Sequence, residues 1–197
     1  MRILIVGATG TIGKAVVEAL SKGNEIIAVS HSSTDLKVDL ASRASIEAMY
    51  RVAGKLDAVV SAAGNARFKP FDALTDDDYQ FSLDNKLMGQ ANLVRLGMGS
   101  IVDGGSFTLT SGILAKSPMP GSGAISLVNA GLEGFMRAAA LEAPRRIRVN
   151  VVSPPWVSET LTAMKMDPSH GLPAAVVAKA YAKSVTGNET GKVIEPG

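Results

Sequence analysis

The chain has 197 residues, 46% of them apolar and 19% charged, which is a globular composition and excludes a disordered protein. The formal net charge is only +2 and the basic residues are scattered, which argues against a nucleic-acid partner. With no cysteine, two distant histidines and no long apolar run, the sequence predicts no disulfide, no metal site and no membrane span, and we expect a cytoplasmic protein.

Short β-branched runs alternate with longer helical patterns along the whole chain. Strands are predicted at residues 2–6, 25–30, 36–38, 56–61, 106–110, 147–153 and 192–194. Helices are predicted at residues 12–20, 42–52, 75–97, 124–143 and 173–185. Strands that are apolar throughout and alternate with helices indicate a parallel sheet covered on both faces. We therefore expect an α/β protein, a single Rossmann-type domain over residues 1–197 with a doubly wound parallel sheet of about seven strands.

The second connection between strands is unusually short. Only five residues separate Ser30 from Leu36, whereas a parallel crossover normally needs about a dozen. Either the strand at 36–38 is marginal, or its helix has been reduced to a loop.

The first strand leads into the glycine-rich stretch GATGTIGK, residues 7–14. A phosphate-binding P-loop would require Gly at position 8 and Ser or Thr at position 15, where this chain has Ala8 and Ala15. Gly7, Gly10 and Gly13 instead have the spacing of a dinucleotide-binding turn, in which the following helix points free N–H groups at a pyrophosphate. The alternative is a purely structural glycine turn.

The end of the second strand bears on which dinucleotide is bound. An acidic side chain there would bind a ribose 2′-hydroxyl and favour NAD. The sequence instead reads Ser30-His31-Ser32-Ser33-Thr34, with no carboxylate before Asp35. Hydroxyls and an imidazole can donate to a 2′-phosphate, so this loop favours NADP(H) over NAD(H), although His31 can equally be a solvated loop residue.

Several motifs together resemble the short-chain dehydrogenase/reductase family over nearly the whole chain. They are the Gly7-x-x-Gly10-x-x-Gly13 loop, Asp39-Leu40, Ser61-Ala62-Ala63-Gly64, the run from Pro70 to Asn85 and Gly89, Thr110-Ser111-Gly112, and Asn150-Val151-Val152-Ser153-Pro154. Pro155 stands where the family has glycine. The chain is shorter than most members, notably after Thr160, where the family places a substrate lid.

The resemblance implies a set of site residues. Ser111 and Asn85 are the implied catalytic residues. The implied cofactor-binding residues are Gly7, Thr9, Gly10, Thr11, Ile12, Gly13, Ser30, His31, Ser32, Asp39, Leu40, Ala62, Ala63, Gly64, Asn129, Pro154, Val157 and Thr160. The alternatives are that Asn85 satisfies local helix backbone and that Ser111 caps a loop.

One feature of the family is missing. Its members carry Tyr-x-x-x-Lys on the helix after the serine, and the matching positions here are Ile125 and Asn129. No Tyr-x-x-x-Lys occurs anywhere in the chain. Isoleucine cannot move a proton, whereas asparagine can still bind ribose hydroxyls. Lys86 and Lys116 are possible substitutes, but we expect both to be solvated surface lysines.

Three functions remain open at this point. The first, which we favour, is an NADP(H)-dependent oxidoreductase that acts on a small carbonyl or alcohol by an altered proton path. The second is a regulatory or redox-sensing protein that binds NADP(H) without catalysis, and the third is a structural subunit. Small residues on two helices (Gly89, Ala91, Ala130, Gly131, Gly134 and Ala138) predict a homodimer or homotetramer, unless they pack within the subunit.

Overall fold

The computed structural model describes all residues, Met1–Gly197, and contains one sheet of seven parallel strands. In chain order they are β1 (Arg2–Val6), β2 (Glu25–Ser30), β3 (Leu36–Lys37), β4 (Leu56–Ser61), β5 (Ile101–Thr110), β6 (Arg148–Val152) and β7 (Val193–Ile194). Across the sheet their order is β3-β2-β1-β4-β5-β6-β7, which confirms the predicted Rossmann-type fold. The direction of winding reverses between β1 and β4, where such folds bind ligands.

Seven α-helices flank the sheet. They are α1 (Thr11–Ser21), α2 (Arg43–Ala53), α3 (Asp76–Ser82), α4 (Gly89–Gly97), α5 (Gly123–Glu142), α6 (Ser158–Ala163) and α7 (Ala174–Thr186). The predicted helix at 75–97 is present, but a π-helical segment, Leu83–Met88, divides it into α3 and α4. The short helix α6 was not predicted. None of the helices combines the length and the apolarity that crossing a membrane requires.

The two faces of the sheet carry separate cores. Side chains alternate along β1, so that Ile3 and Ile5 join the core under α1 and α7, whereas Leu4 and Val6 join the core under α2, α4 and α5. All four are at most 1% exposed. Full burial of each such side chain stabilises the fold by about 1.5–3 kcal/mol.

The short connection from β2 to β3 is a closed loop. The Ser33 N–H donates to Ser30 Oγ at 2.8 Å, and Thr34 Oγ1 donates to the Leu36 carbonyl at 2.6 Å. These bonds replace the usual helix and hold β3, which has only two residues, in parallel register beside Val29 and Ser30. Both alternatives therefore hold: the third strand is marginal, and the helix before it is reduced to a loop.

Candidate cofactor and active site

The glycine loop after β1 is shaped by close backbone packing. Gly7 has φ +82°, and a Cβ added there would lie 2.8 Å from the Ala62 carbonyl oxygen beyond β4. A Cβ at residue 13 would lie only 1.9 Å from the Gly7 carbonyl oxygen. Glycine is therefore required at both positions, whereas a Cβ at Gly10 would meet nothing closer than 3.4 Å.

The N-terminus of α1 is free to bind an anion. The N–H groups of Thr11, Ile12 and Gly13 have no acceptor in the protein, no side chain caps the helix, and no acidic residue lies in its first turn. Thr9, Gly10 and Thr11 are exposed. Unpaired N–H groups and the positive end of the helix dipole suit a phosphate.

A cleft of about 140 Å³ runs across the carboxyl ends of β1, β2 and β4. Its lining includes eight residues from the predicted site: Gly7, Ser30, His31, Asp39, Leu40, Ala63, Gly64 and Asn85. Asn65 also lines it and was not predicted. Thr9, Gly10 and Thr11 line an adjacent depression with Lys14 and Glu159. A larger depression of about 770 Å³ lies at the opposite edge, beside Asp57 and Arg148, so size alone does not locate the site.

The outer end of the cleft is hydroxyl-rich. His31 and Ser32 are exposed, while Ser30 is buried and its side chain accepts within its own loop. The Asp39 carboxylate accepts from the Ala41 N–H at 3.0 Å. Leu40 packs closely on Gly89, since a Cβ added at Gly89 would lie only 2.8 Å from Leu40 Cβ.

The start of α5 faces the other end of the site. Asn129 is 2% exposed, and its Oδ1 has no hydrogen-bond partner. Its amide nitrogen lies beside Gly112, just beyond β5. Ile125 is partly buried one turn earlier. A buried amide oxygen without a donor is costly in a closed core, but it is well placed to accept from a ligand hydroxyl.

Ser111 lies at the end of β5 and is 2% exposed. Its hydroxyl donates to Glu133 Oε1 at 3.0 Å, and Glu133 also pairs with Arg137 at 3.4 Å. The sequence did not predict this partnership, since nothing in the local pattern of α5 distinguishes Glu133 from a solvated residue. The serine hydroxyl is thus oriented by a carboxylate.

The π-helical segment brings a lysine to the same place. Lys86 Nζ donates to the Ser111 carbonyl at 3.1 Å, and its stem packs on Gly64. The expectation of a solvated lysine is wrong here, because Lys86 is partly buried and burial lowers its pKa to about 8. The sequence carried no signal for this burial, since the residues four positions away on either side, Ser82 and Gln90, are polar. Lys116 is exposed as expected and pairs with Glu195.

Asn85 lines the cleft, but its amide Nδ2 donates to the Phe81 carbonyl at 3.1 Å. Beyond β6, Pro154 is buried and accepts from the Ile113 N–H at 2.9 Å. Val157 precedes α6 and pairs with Leu172, and Thr160 lies in the first turn of α6. These residues occupy the same edge of the sheet as the glycine loop.

Two of the three tyrosines belong to the core. Tyr50 donates to the Leu93 carbonyl at 2.7 Å, and Tyr181 shares a hydrogen bond of 2.6 Å with Thr110. Burial raises the pKa of both phenols. Neither can serve as a proton donor at this edge of the sheet.

A parallel sheet with a glycine loop at its switch point, free helix N–H groups and an open cleft defines a dinucleotide-binding α/β protein. Residues 3–194 match the family model described as enoyl-(acyl carrier protein) reductase, and the chain belongs to the short-chain dehydrogenase/reductase family of oxidoreductases, which bind a nicotinamide cofactor.

Comparisons with individual proteins agree. The crystal structure of the protein lin1944 from Listeria innocua is 41% identical, with a TM-score of 0.94 over 99% of this chain and 98% of that one. A small-chain dehydrogenase in complex with NADPH has the same fold, with 23% identity and a TM-score of 0.87 over 99% and 95%. An uncharacterized oxidoreductase of Methylorubrum extorquens is 26% identical over 178 residues, 78% of this chain and 72% of that protein. The chain spans 66% of the length of fungal hydroxynaphthalene reductase-like relatives.

Proposed function

We propose that this protein binds NADP(H) and transfers a hydride to or from a small carbonyl or alcohol-type substrate. The observation that carries the proposal is the set of three free N–H groups at the start of α1, beside an open glycine loop. A pyrophosphate is the group that such a helix start accommodates. When bound, the nicotinamide supplies or accepts the hydride.

The cofactor would extend along the carboxyl edge of the sheet. The pyrophosphate would be held by Thr9, Gly10, Thr11, Ile12 and Gly13. The adenosine half would be held by Ser30, His31, Ser32, Asp39 and Leu40. The nicotinamide half would be held by Ala62, Ala63, Gly64, Asn129, Pro154, Val157 and Thr160. The unpartnered Asn129 Oδ1 fits a role as acceptor from a ribose hydroxyl.

The preference for NADP(H) rests on the loop after β2. His31 and Ser32 are exposed beside the cleft and can donate to a 2′-phosphate. Asp35, the first carboxylate after Ser30 in sequence, is exposed, and Asp39 lines the same cleft as His31. The solved NADPH complex of a protein with the same fold is consistent with this preference.

The proton path would differ from the one through the tyrosine that the family usually has on α5. Ile125 has no exchangeable proton, so Ser111 would orient the substrate oxygen by turning its hydroxyl proton from Glu133 to the substrate, and Asn85 would hold water at the cleft. General acid–base help typically contributes about 10²–10⁴ in rate, whereas orientation of the reactants accelerates the reaction separately and often by more. Loss of the phenol alone therefore does not exclude hydride transfer.

A second candidate is a regulatory or redox-sensing protein that binds NADP(H) without turnover. The isoleucine at position 125 and the asparagine at position 129 favour it, because a sensor needs the cofactor site and not the proton donor. A sensor would bind NADPH and NADP⁺ with clearly different affinities and would oxidise NADPH with no member of a carbonyl panel.

The test of cofactor binding is a thermal shift titration with NADP(H) and NAD(H). Binding to the folded state raises Tm by mass action. Thr11→Asp places a negative charge at the start of α1, which favours the helix dipole but repels a pyrophosphate. We expect this variant to keep its own Tm and lose the NADPH-induced shift, while Thr11→Asn keeps both. An equal NADPH shift in Thr11→Asp would contradict the proposed site.

Catalysis is tested by NADPH oxidation with a carbonyl panel. Turnover that falls at least tenfold in Ser111→Ala, with the NADPH-induced shift retained, is expected of the enzyme. Binding without any turnover would favour the sensor.

We also propose a homodimer or homotetramer formed through the outer face of α5. Gly89 and Gly131 pack within the subunit, on Leu40 and Leu87. Gly134 has open space around it, and Leu141, about two turns further along α5, is 88% exposed. Light scattering should give a multiple of 20.4 kDa, and Gly134→Arg should reduce it to the monomer mass. As one domain, the subunit should unfold in a single transition.

A further inference from the structure

The segment that carries Lys86 departs from α-helical geometry. Between α3 and α4, the Gly89 N–H donates to the carbonyl of Asp84, five residues earlier, so that one turn is wider than the rest. π-turns inside α-helices occur frequently at functional sites. The widened turn places Lys86 against Gly64 at the end of β4 and beneath the Ser111 carbonyl at the end of β5.

Lys86 places a positive charge beside the carboxyl ends of β4 and β5, and no ion pair neutralises this ammonium. Its hydrogen-bond acceptor is the Ser111 carbonyl, and none of the protein's ion pairs includes it. On the α5 side, the nearest charges are Glu133, held by Ser111, and its partner Arg137. On its own segment, Asp84 accepts from Gln80 at the exposed surface. An ammonium has three donors, so two remain for a ligand or water.

The other candidate proton donors lie elsewhere: the Tyr79 hydroxyl lies beside Gly123, the first residue of α5. The phenols of Tyr50 and Tyr181 are buried in the core and hydrogen-bonded there. His31 lies at the far end, beside β2, and His170 is exposed near Asp167. A serine hydroxyl such as that of Ser111 has too high a pKa to act as an acid alone.

We propose that Lys86 Nζ is the proton-exchanging group of this site, so that an ammonium from the π-helical segment fills the place left by the missing phenol on α5. This inference rests on the proposed function. In the reducing direction, the carbonyl carbon accepts the hydride that the reduced nicotinamide supplies, and the carbonyl oxygen accepts a proton from Lys86 Nζ. The neutral amine then regains a proton from solvent. The lowered pKa supports the assignment, because an acid works best when its pKa lies near the operating pH.

The first test needs no substrate. Trace acetylation of the lysines at a series of pH values, read by mass spectrometry, gives the titration midpoint of each amine. We expect Lys86 to titrate near 8. Saturating NADP⁺ should protect Lys86 at least fivefold and leave Lys116 unchanged.

The outcomes separate this inference from the proposed function. If no nicotinamide cofactor shifts Tm, the proposed function fails whatever the labelling shows. If NADP⁺ raises Tm but leaves the labelling of Lys86 unchanged, or if Lys86 titrates above 10, only the assignment of Lys86 is overturned.

A second test separates proton exchange from positive charge. Lys86→Arg keeps a cation that does not release its proton near neutral pH, and Lys86→Met removes the charge. We expect both to lower kcat at least 100-fold, with the NADPH-induced Tm shift retained in Lys86→Arg, while Lys116→Met is unaffected. If Lys86→Arg keeps the wild-type kcat and pH profile, Lys86 does not exchange the proton.

Discussion

The side-chain amide of Gln90 pairs with both backbone groups of Thr110. Nε2 donates to the Thr110 carbonyl at 2.9 Å, and Oε1 accepts from the Thr110 N–H at 2.8 Å. Gln90 is completely buried, so these bonds complete the end of β5, immediately before Ser111. A residue on α4 thus holds the strand end that carries the serine.

Replacing this amide should be costly. Gln90→Leu keeps the approximate volume but leaves two buried backbone groups unpaired, and we expect the free energy of unfolding to fall by about 2–4 kcal/mol in urea titrations. Gln80→Leu is the control, since Gln80 is exposed and bonds only Asp84, and it should change stability by less than about 0.5 kcal/mol. Equal stability of the two variants would contradict the role of Gln90.

Gly13 should tolerate no side chain. Because a Cβ there would lie 1.9 Å from the Gly7 carbonyl oxygen, Gly13→Ala must displace α1 from β1. Overpacking of this kind costs about 1–3 kcal/mol or more. Gly99→Ala is the matched control, since open space surrounds Gly99, and it should be neutral. The measurement is the urea midpoint of each variant. An unchanged midpoint for Gly13→Ala would show that the glycine loop packs against α1 less closely than the structure indicates.

The hydrogen bond between Ser111 and Glu133 is measurable by a double-mutant cycle. Glu133 is only 14% exposed in its side chain, so its bond from Ser111 should couple the two residues. We expect an interaction energy of about 1–2 kcal/mol from Ser111→Ala, Glu133→Gln and the double variant. Arg137 is 57% exposed, and Arg137→Ala should cost less than about 0.5 kcal/mol. Additive single effects at 111 and 133 would refute the coupling.

Lys86 should lower stability while serving the site. Its folded pKa, about 8, lies below the value of the unfolded chain, so the unfolded state binds more protons between about pH 8 and 10.4. Wild-type stability should therefore rise with pH across that window. At pH 7 both states are protonated and the burial penalty is complete, so we expect Lys86→Met to be more stable by about 1–3 kcal/mol. The stability gain of Lys86→Met over wild type should shrink above pH 10. A gain that does not change with pH would contradict the lowered pKa of Lys86.

Acid stability should depend on Asp78. Thr75 caps α3, and Lys69 donates to the Asp78 carboxylate at 2.8 Å. The hydrogen bond from Lys69, followed by that from Thr75, lowers the Asp78 pKa to about 2. The stabilisation is thus complete above about pH 4, the unfolded value, and is lost as pH falls towards 2. Asp78→Asn should lower Tm at pH 7 and no longer differ from wild type near pH 2. Asp76→Asn, at an exposed position of the same turn, should leave Tm nearly unchanged.

Local patterns determined the fold. The alternation of strands and helices predicted the seven-stranded parallel sheet, because the side-chain periods of strands and helices are properties of neighbouring residues. The spacing of Gly7, Gly10 and Gly13 located the loop after β1 for the same reason, and the absence of Tyr-x-x-x-Lys was visible in the sequence itself.

Only the tertiary structure decided which side chains meet at the site. Sequence spacing did not distinguish Lys86 from Lys116, yet one is partly buried under Ser111 and the other lies on the surface. The π-helical segment places Lys86 beside Ser111, and Ser111 bonds to Glu133 on α5, so both contacts join residues on different elements. Desolvation and long-range hydrogen bonds depend on the packing of helices against the sheet, and a local pattern does not contain that packing.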